Sequence, residues 1–301
     1  MKSLFINFVR AVQRQSVRNQ MKGQKFSLDN LDYFQNISYK ENGNKRNVLD
    51  IFKKSKNNKL LPVIISFHGG AFVGGEKWYN SEHCTFFAHK DFLVFNVEYN
   101  RCPDVSLFGE IQDVFSSIRW IKENIENYGG DPNNIFLMGD SAGSWLIMLF
   151  SIINKNENLQ KNYQVKSIDI KINGLVLICP VADIEKAMRY PCHIFWFKPY
   201  VYRLNKIRNH PYCLTSIQDV IKYEKLEPCF ILTSKGDTYY YSFSNDLKKL
   251  FDENEVNYEF HEYQNGERIL EHCFNIMHPS YEESVDANNK IISFINTYIN
   301  I

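Results

Sequence analysis

The sequence predicts an α/β fold in which a mostly parallel sheet is covered by helices on both faces. Short apolar runs typical of buried strands alternate with longer amphipathic patterns typical of helices over most of the chain. A chain of 301 residues can bury roughly 75% of the surface that its unfolded form exposes. Neither an internal repeat nor a low-complexity tract interrupts the pattern, so we expect a single domain over residues 1–301.

Eight segments have the composition of strands. The first two are joined by turn-forming residues at 41–44 and resemble a hairpin, which predicts antiparallel strands at one edge of the sheet. The next five are apolar runs of the kind buried on both faces, and the last is more amphipathic. The predicted strands are 34–39, 47–52, 62–67, 92–99, 135–138, 174–179, 229–233 and 258–263.

Helical periodicity is found between these strands, and one segment breaks the alternation. The predicted helices are 108–127, 142–153, 245–254 and 288–299. Residues 183–215 are instead crowded with aromatic residues and prolines. We interpret this segment as an insertion that forms a small cap over one end of the sheet.

The first 25 residues predict an amphipathic basic helix. They contain six cations and no acid, and apolar residues between Leu4 and Val12 recur at helical spacing. Such a helix can lie on an anionic membrane surface or act as a targeting segment. An apolar helical face most often packs on its own protein, so we expect residues 1–25 to join 183–215 in the cap.

Composition excludes several classes of protein. The 35 Lys and Arg residues nearly balance 34 Asp and Glu residues, so the net charge of +1 gives no electrostatic reason to expect a nucleic-acid partner. No apolar run approaches the length of about 18 residues that a membrane span requires, so we expect no stable membrane insertion. Seven scattered cysteines without a C-x-x-C pair predict reduced thiols in a cytoplasmic protein.

The strongest chemical signal is the sequence Gly139-Asp140-Ser141-Ala142-Gly143, a G-x-S-x-G motif. It follows a predicted strand directly and precedes a strongly apolar helix. In this context a tight turn holds the serine hydroxyl exposed at the edge of the sheet, where a histidine can activate it. Asp140 either tunes the electrostatics of the turn or anchors it, and we favour the anchor.

A second signal, His68-Gly69-Gly70-Ala71-Phe72, follows the strand predicted at 62–67. Attack on an ester carbonyl creates an oxyanion, and preorganised backbone N–H groups stabilise that charge. The amides of Gly70 and Ala71 are candidates for this role. Taken alone, the same sequence also fits a strand-ending turn with a structural histidine.

Cofactor motifs are absent from the sequence. It contains neither H-E-x-x-H nor a recognisable cluster of metal ligands, and neither G-x-G-x-x-G nor G-x-x-x-x-G-K-[ST]. We therefore expect no cofactor and no metal.

These residues resemble the esterases of the α/β-hydrolase fold related to hormone-sensitive lipase and the carboxylesterases, including bacterial acetyl esterases. The motifs that carry the likeness are the two above, together with residues 99–113, 129–132, Gly236-Asp237 and His272-Cys273-Phe274. Two positions depart from the family pattern. Ala71 stands where a third glycine is usual, which keeps the N–H group, and Arg101 is shifted one position from the tyrosine, which puts a local ion pair in doubt.

The resemblance implies the order serine, acid, histidine. It therefore points to Asp237 and His272 as the partners of Ser141, with Ala142 supplying a third oxyanion amide. Other candidates for the acid are Asp246 and Asp252 on the following helix, which we expect to be solvated. Other candidates for the histidine are His261, inside a strand, and His278, before a proline.

Together these residues predict a serine carboxylic ester hydrolase that cleaves small, short-chain acyl esters through an acyl-enzyme. Two alternatives remain open: an arylformamidase-type amide hydrolase, and a ligand-binding homologue without activity. A homodimer is also possible.

Overall fold

A computed structural model describes residues 2–22, 27–56, 59–189 and 216–300. Within these ranges an eight-stranded sheet has the order β1-β2-β4-β3-β5-β6-β7-β8. The strands are β1 (Leu31–Ser38), β2 (Val48–Lys54), β3 (Leu61–Phe67), β4 (Leu93–Val97), β5 (Gly130–Asp140), β6 (Gly174–Ile178), β7 (Cys229–Ser234) and β8 (Tyr258–Tyr263). Strand β2 is antiparallel to both of its neighbours, whereas the pairs from β4 to β8 are parallel. The predicted mostly parallel sheet with an antiparallel edge is confirmed.

Strand β5 is longer than its apolar pattern predicts. It begins at Gly130, which already pairs with Leu61 of β3, whereas the apolar run starts at Ile135. The intervening residues 131–134 are polar apart from one proline, so hydrophobicity alone does not reveal that they extend the strand.

The helices of the described residues cover both faces of the sheet. They are α1 (Lys2–Gln20), α2 (Ser81–His89), α3 (Leu107–Asn124), α4 (Ala142–Lys155), α5 (Glu157–Tyr163), α6 (Ile184–Ala187), α7 (Ile217–Ile221), α8 (Tyr241–Glu253), α9 (Phe274–Met277) and α10 (Glu282–Thr297). The helix predicted at 108–127 is divided, because its last turn is a 3-10 helix, Ile125–Tyr128, that ends at the left-handed Gly129. The predicted helices at 245–254 and 288–299 begin earlier, at Tyr241 and Glu282.

Two apolar cores lie on opposite faces of the sheet. Side chains alternate between the faces of a strand, so Val63, Ile65 and Phe67 of β3 join one core while Ile64 joins the other. The first core also contains buried residues of α3, α4 and α8, and the second contains those of α2 and α10. This packing fixes the carboxyl ends of the parallel strands, where active sites of open α/β sheets form.

The predicted insertion at 183–215 lies mostly outside the described residues, which omit 190–215. Its first residues form α6, whose N-cap Asp183 accepts a hydrogen bond from the N–H of Lys186. An isolated bridge pairs Asp183 with Ser216, so the two ends of the segment meet.

The described residues also bear on membrane insertion and on disulfide formation. Across the described ranges, no helix is both long enough and apolar enough to cross a bilayer. The cysteines within those ranges are buried free thiols, namely Cys84, Cys102, Cys179, Cys229 and Cys273.

Candidate active site

Ser141 occupies the sharp turn between β5 and α4. Its backbone has φ 51° and ψ −115°, a conformation that side-chain-bearing residues rarely adopt. A Cβ atom on Gly139 would lie 2.5 Å from the backbone of Gly143, and one on Gly143 would lie 2.1 Å from the carbonyl oxygen of Phe67. The two glycines of the motif are therefore required by close backbone contacts on both sides of the serine.

The loop after β3 passes beside this turn. Its backbone has positive φ at Gly70 (131°), Ala71 (55°) and Phe72 (64°). In the described part of the chain, the N–H groups of Gly70 and Ala71 donate to no protein acceptor. Ala142 begins α4, where the first N–H groups lack partners within the helix. These amides are thus available to a ligand, as an oxyanion hole requires.

Asp140 joins the serine turn to the neighbouring loop. Its Oδ2 atom accepts a hydrogen bond of 2.9 Å from the N–H of Gly69, and its Oδ1 atom accepts one of 2.8 Å from the side chain of Asn80. Burial raises the pKa of this carboxyl. These contacts support an anchoring role, but the segments that the carboxylate holds are the Gly69 loop and the Asn80 side chain.

His68 stabilises this loop through a hydrogen bond and lies against a neighbouring ring. It is fully buried, its Nδ1 atom donates to the carbonyl oxygen of Gly69 at 2.7 Å, and its ring stacks on Tyr99 at 4.4 Å. The hydroxyl of Tyr99 donates to the carbonyl oxygen of His68 at 2.6 Å. Next to it, Arg101 is buried with its Nη2 atom 3.5 Å from Glu98 Oε1, so the shifted arginine still has an acidic neighbour.

Asp237 and His272 come together from the loops after β7 and β8. Asp237 Oδ2 lies 2.6 Å from His272 Nδ1, and its other oxygen accepts a hydrogen bond of 3.0 Å from the N–H of Tyr240. Burial of the imidazole disfavours its charged form, but the charge and hydrogen bond of Asp237 outweigh burial and raise the pKa of His272 to about 10. The ring of Tyr240 lies 4.3 Å from that of His272.

The other candidates for the catalytic acid and histidine interact with different residues. Asp246 and Asp252 are exposed on α8 and pair with Lys186 and Lys248. His261 contacts Glu259 on β8, and His278 stacks on a tyrosine at 4.7 Å. None of these four is among the described residues that line the cavity at Ser141.

A cavity of about 210 Å³ contains both Ser141 and His272. The loop residues Gly69, Gly70 and Ala71 form part of its wall. Helix α1 supplies Gln13, Val17 and Gln20, and the remaining lining residues are Tyr79, Asp140, Tyr240, Cys273 and Met277. The structure thus brings the predicted serine, histidine and oxyanion loop to one space, with Asp237 behind the histidine.

Polar side chains attach α1 to the rest of the molecule. Arg10 donates to the carbonyl oxygens of Val73 (2.8 Å) and Cys102 (2.9 Å) and pairs with Asp104 at 2.8 Å. The amide oxygen of Gln13 accepts a hydrogen bond of 3.1 Å from the N–H of Gly75, just after the oxyanion loop. These contacts place one side of the cavity on the N-terminal helix.

Two thiols lie next to His272. Cys179 follows β6, and its sulfur accepts a hydrogen bond of 3.3 Å from the N–H of Cys273. A hydrogen bond with the Cys273 thiol lowers the pKa of Cys179 to about 7, although burial opposes this change. One ligand atom from each of Cys179, His272 and Cys273 lies within 4.8 Å of the others. Of the described residues, these are the ones that could hold a metal ion together.

Comparison with known proteins decides the family. Residues 49–237 match the BD-FAE family, and this segment is more than half of the chain. The chain belongs to the BD-FAE family. The matched segment contains the oxyanion loop and the serine turn and ends at Asp237.

Curated relatives of this BD-FAE chain are esterases that are much longer than the aligned segment. The isoprenylcysteine alpha-carbonyl methylesterase of Arabidopsis thaliana is 36% identical over 99 residues, which are 33% of this chain and 23% of that protein. Esterase LipQ of Mycobacterium tuberculosis is 28% identical over 148 residues, 48% of this chain and 35% of that protein.

A solved structure matches nearly the whole chain. Esterase B from Lactobacillus rhamnosis, inhibited by a C4-C4 tributyrin phosphonate, superposes with a TM-score of 0.88 at 24% sequence identity. The match covers 99% of this chain and 96% of that one. It confirms the α/β-hydrolase fold, and these relatives agree with the predicted resemblance to esterases of the hormone-sensitive lipase and carboxylesterase type.

Several features of the site had no clear sequence signal. The Gly69 to Asp140 hydrogen bond, the contact of Gln13 with Gly75 and the pair of thiols each join residues that are far apart in sequence, although α1 itself was expected in the cap. Tyr99 was part of the family resemblance, but its hydrogen bond to the His68 carbonyl is visible in the structure alone.

Proposed function

We propose that this BD-FAE chain is a serine carboxylic ester hydrolase that uses Ser141, Asp237 and His272 and needs no cofactor. The observation that carries the proposal is one shared cavity. In it, a serine on a strained turn, the histidine of the Asp237–His272 pair and two unpartnered amides face the same space.

The first half of the reaction makes an acyl-enzyme. Ser141 Oγ attacks the ester carbonyl carbon, and His272 accepts the hydroxyl proton at Nε2 because Nδ1 is held by Asp237. The carbonyl oxygen becomes an oxyanion that accepts hydrogen bonds from the amides of Gly70, Ala71 and Ala142. His272 then gives its proton to the alkoxide, and the carbon–oxygen bond to the alcohol breaks.

The second half repeats these steps with water. His272 takes a proton from a water molecule, whose oxygen attacks the acyl carbon in the same oxyanion hole. Collapse of the second tetrahedral intermediate returns the proton to Ser141 and releases the carboxylic acid. Asp237 stabilises the imidazolium that forms in both halves, since its buried carboxylate contacts Nδ1.

The dimensions of the cavity favour short acyl chains. Its volume of about 210 Å³ lies below the range of roughly 300–1,000 Å³ typical of pockets for drug-sized ligands. Helix α1 closes one side, and we propose that α1 and residues 183–215 together form the cap. The esterase B structure with its C4-C4 tributyrin phosphonate inhibitor supports the same preference.

The location and the oligomeric state of the protein are proposed from its sequence. We propose a cytoplasmic location, which the free thiols of the described cysteines support. The possible homodimer stays a prediction, which light scattering on the purified protein would test.

Ser141→Ala tests the assignment. We expect this variant to keep its circular dichroism spectrum and to lose at least about 10,000-fold in kcat/KM on p-nitrophenyl butyrate, because residues of a triad fail together. A fluorophosphonate probe should label the wild-type chain at Ser141. The matched control is Ser293→Ala on the exposed face of α10, which should change neither property.

Three results would contradict the proposal. Turnover near the wild-type value in Ser141→Ala would exclude the serine mechanism. Hydrolysis of N-formylkynurenine without ester cleavage would favour the amide hydrolase. Absence of both turnover and labelling in a folded wild-type chain would favour the ligand-binding homologue.

A further inference from the structure

A cluster of two thiols and one imidazole lies beside the proposed catalytic residues. Cys179 and Cys273 are buried, and the ligand atoms of Cys179, Cys273 and His272 all lie within 4.8 Å of one another. Both cysteines have positive φ, 44° and 56°. Such conformations are strained in a residue other than glycine and are concentrated at functional sites.

We propose that Cys179, Cys273 and His272 bind Zn²⁺ or another thiophilic divalent cation, and that the bound cation inhibits hydrolysis. The binding site stands on its own geometry, whereas the inhibition rests on the proposed function. From the sequence we expected no metal, because it contains neither H-E-x-x-H nor a recognisable cluster of metal ligands. The two cysteines are 94 residues apart, so their proximity is visible in the structure alone.

The spacing suits tetrahedral zinc. Zinc binds cysteine sulfur at about 2.3 Å and histidine nitrogen at about 2.0–2.1 Å, so two ligands on one ion are about 3.5 to 3.8 Å apart. Ligand atoms already within 4.8 Å need to approach by no more than about 1.3 Å. Three protein ligands leave a fourth position for water, as in zinc sites that are not purely structural.

Charge balance also favours a cation here. Binding releases one proton from each thiol to solvent, and two thiolates then neutralise the two positive charges of Zn²⁺. A neutral group of this kind avoids the cost of an unpaired buried charge. Two carboxylates flank it: Asp140 Oδ2 lies 4.0 Å from Cys273 Sγ, and Asp237 contacts His272.

Occupation of this site would remove the proposed general base. His272 Nδ1 is held by Asp237, and Nε2 is the nitrogen that takes the serine proton. A cation on Nε2 uses the lone pair that the reaction needs. A cation on Nδ1 displaces Asp237 and leaves the imidazole without its orienting partner. Hydrolysis stops in both arrangements.

Cobalt provides a readout that does not depend on activity. The full chain is reduced with a phosphine, freed of metal and titrated with Co²⁺ alone. We expect one equivalent to produce a thiolate-to-cobalt charge-transfer band, which added Zn²⁺ displaces. Zn²⁺ should inhibit hydrolysis of p-nitrophenyl butyrate over the same concentration range, and a chelator should restore the rate.

Variants identify the ligands. Cys273→Gly suits the positive φ, and Cys179→Ser keeps an acceptor for the N–H of residue 273, so both are compatible with the fold. Each should lower Zn²⁺ affinity at least about 100-fold, since loss of a ligand exceeds the 10- to 100-fold loss caused by outer partners. Cys229→Ala, a buried cysteine of β7, is the control and should leave affinity and inhibition unchanged.

The outcomes separate the two proposals. A cobalt band in Ser141→Ala, or in a wild-type chain without esterase activity, supports the metal site whatever the fate of the hydrolase assignment. The metal site is overturned if the wild-type chain gives no cobalt band. It is also overturned if the band of Cys179→Ser equals that of wild type. If the reduced chain gives no cobalt band, and oxidised glutathione then removes two titratable thiols, the metal site is overturned. The two cysteines would in that case form a disulfide.

Discussion

The two sides of the cavity are held in different ways. The strand side consists of Gly69 to Ala71, Ser141 and His272, and it is fixed by backbone contacts at the ends of β3 and β5 and by the contact of His272 with the buried Asp237. The helix side consists of Gln13, Val17 and Gln20 of α1, and it is attached through side chains such as Arg10. In the proposed mechanism the reacting groups lie on the strand side, and we expect the helix side to contact the rest of a substrate.

The difference has a physical basis in the elements themselves. On the strand side, glycines allow the serine turn and the oxyanion loop to approach more closely than a Cβ atom would permit. On the helix side, long polar side chains span the gap; Ile6 and Val9 pack into the core, while Leu4 and Val12 remain 74% and 48% exposed. We therefore expect substitutions on the strand side to change rate and those on the helix side to change selectivity.

Asp237→Asn should have the largest effect among these substitutions. The amide favours the wrong histidine tautomer, so we expect kcat to fall by about 10,000-fold with the fold intact. Removal of the carboxylate also takes away the largest interaction that raises the pKa of His272, while burial still opposes the charged form, so this pKa should fall. Since the base must be unprotonated, the rising limb of kcat/KM against pH should move to lower pH, which stopped-flow assays across a pH series would show.

The control for this prediction is Asp246→Asn. Asp246 is exposed on α8 and pairs with Lys186, and exposed pairs contribute only about 0–1 kcal/mol, so its rate and pH profile should match wild type. If Asp246→Asn is the damaging variant, the assignment of the acid to the loop after β7 is wrong. The serine and the oxyanion loop would remain assigned.

Gly143→Ala tests the rigidity of the strand side and should have an intermediate effect. The new Cβ atom would lie 2.1 Å from the Phe67 carbonyl oxygen, so the serine turn and the oxyanion loop must separate. Overpacking costs about 1–3 kcal/mol, and a displacement of about 1 Å can cost about 100-fold in rate. Urea unfolding and kcat/KM measure the two effects.

Gly266→Ala is the matched control, because its Cβ atom would meet nothing within 4 Å. Its stability and rate should stay near wild type. Equal behaviour of the two alanine variants would show that the strand side tolerates displacement, and the contrast between the two sides would then be lost.

The strand side was largely predictable from the sequence, whereas for the helix side the sequence predicted an amphipathic helix in the cap but not the contacts that hold it. The serine turn is a local signal, since strand, turn and helix are contiguous around Ser141 and two fixed glycines mark it. Prediction of the Asp237–His272 pair required the serine, acid, histidine order of a known family, because no local pattern distinguishes His272 from His278. The contacts of Arg10 depend on the three-dimensional arrangement, and nothing in its sequence neighbourhood specifies that it donates to Val73 and Cys102.

Val17 of α1 gives the smallest and most selective prediction. Its side chain lines the cavity and is 8% exposed, so Val17→Ala should enlarge the space for the acyl chain. Burial of one further CH₂ group is worth about 0.8 kcal/mol, or about fourfold in rate. The ratio of kcat/KM for p-nitrophenyl hexanoate to that for the acetate should rise by about this factor, while the acetate rate itself changes little. Val12→Ala, on the same helix but exposed, should leave the ratio unchanged. An unchanged ratio in both variants would show that α1 does not contact the acyl chain, and acyl selectivity would then have to arise elsewhere.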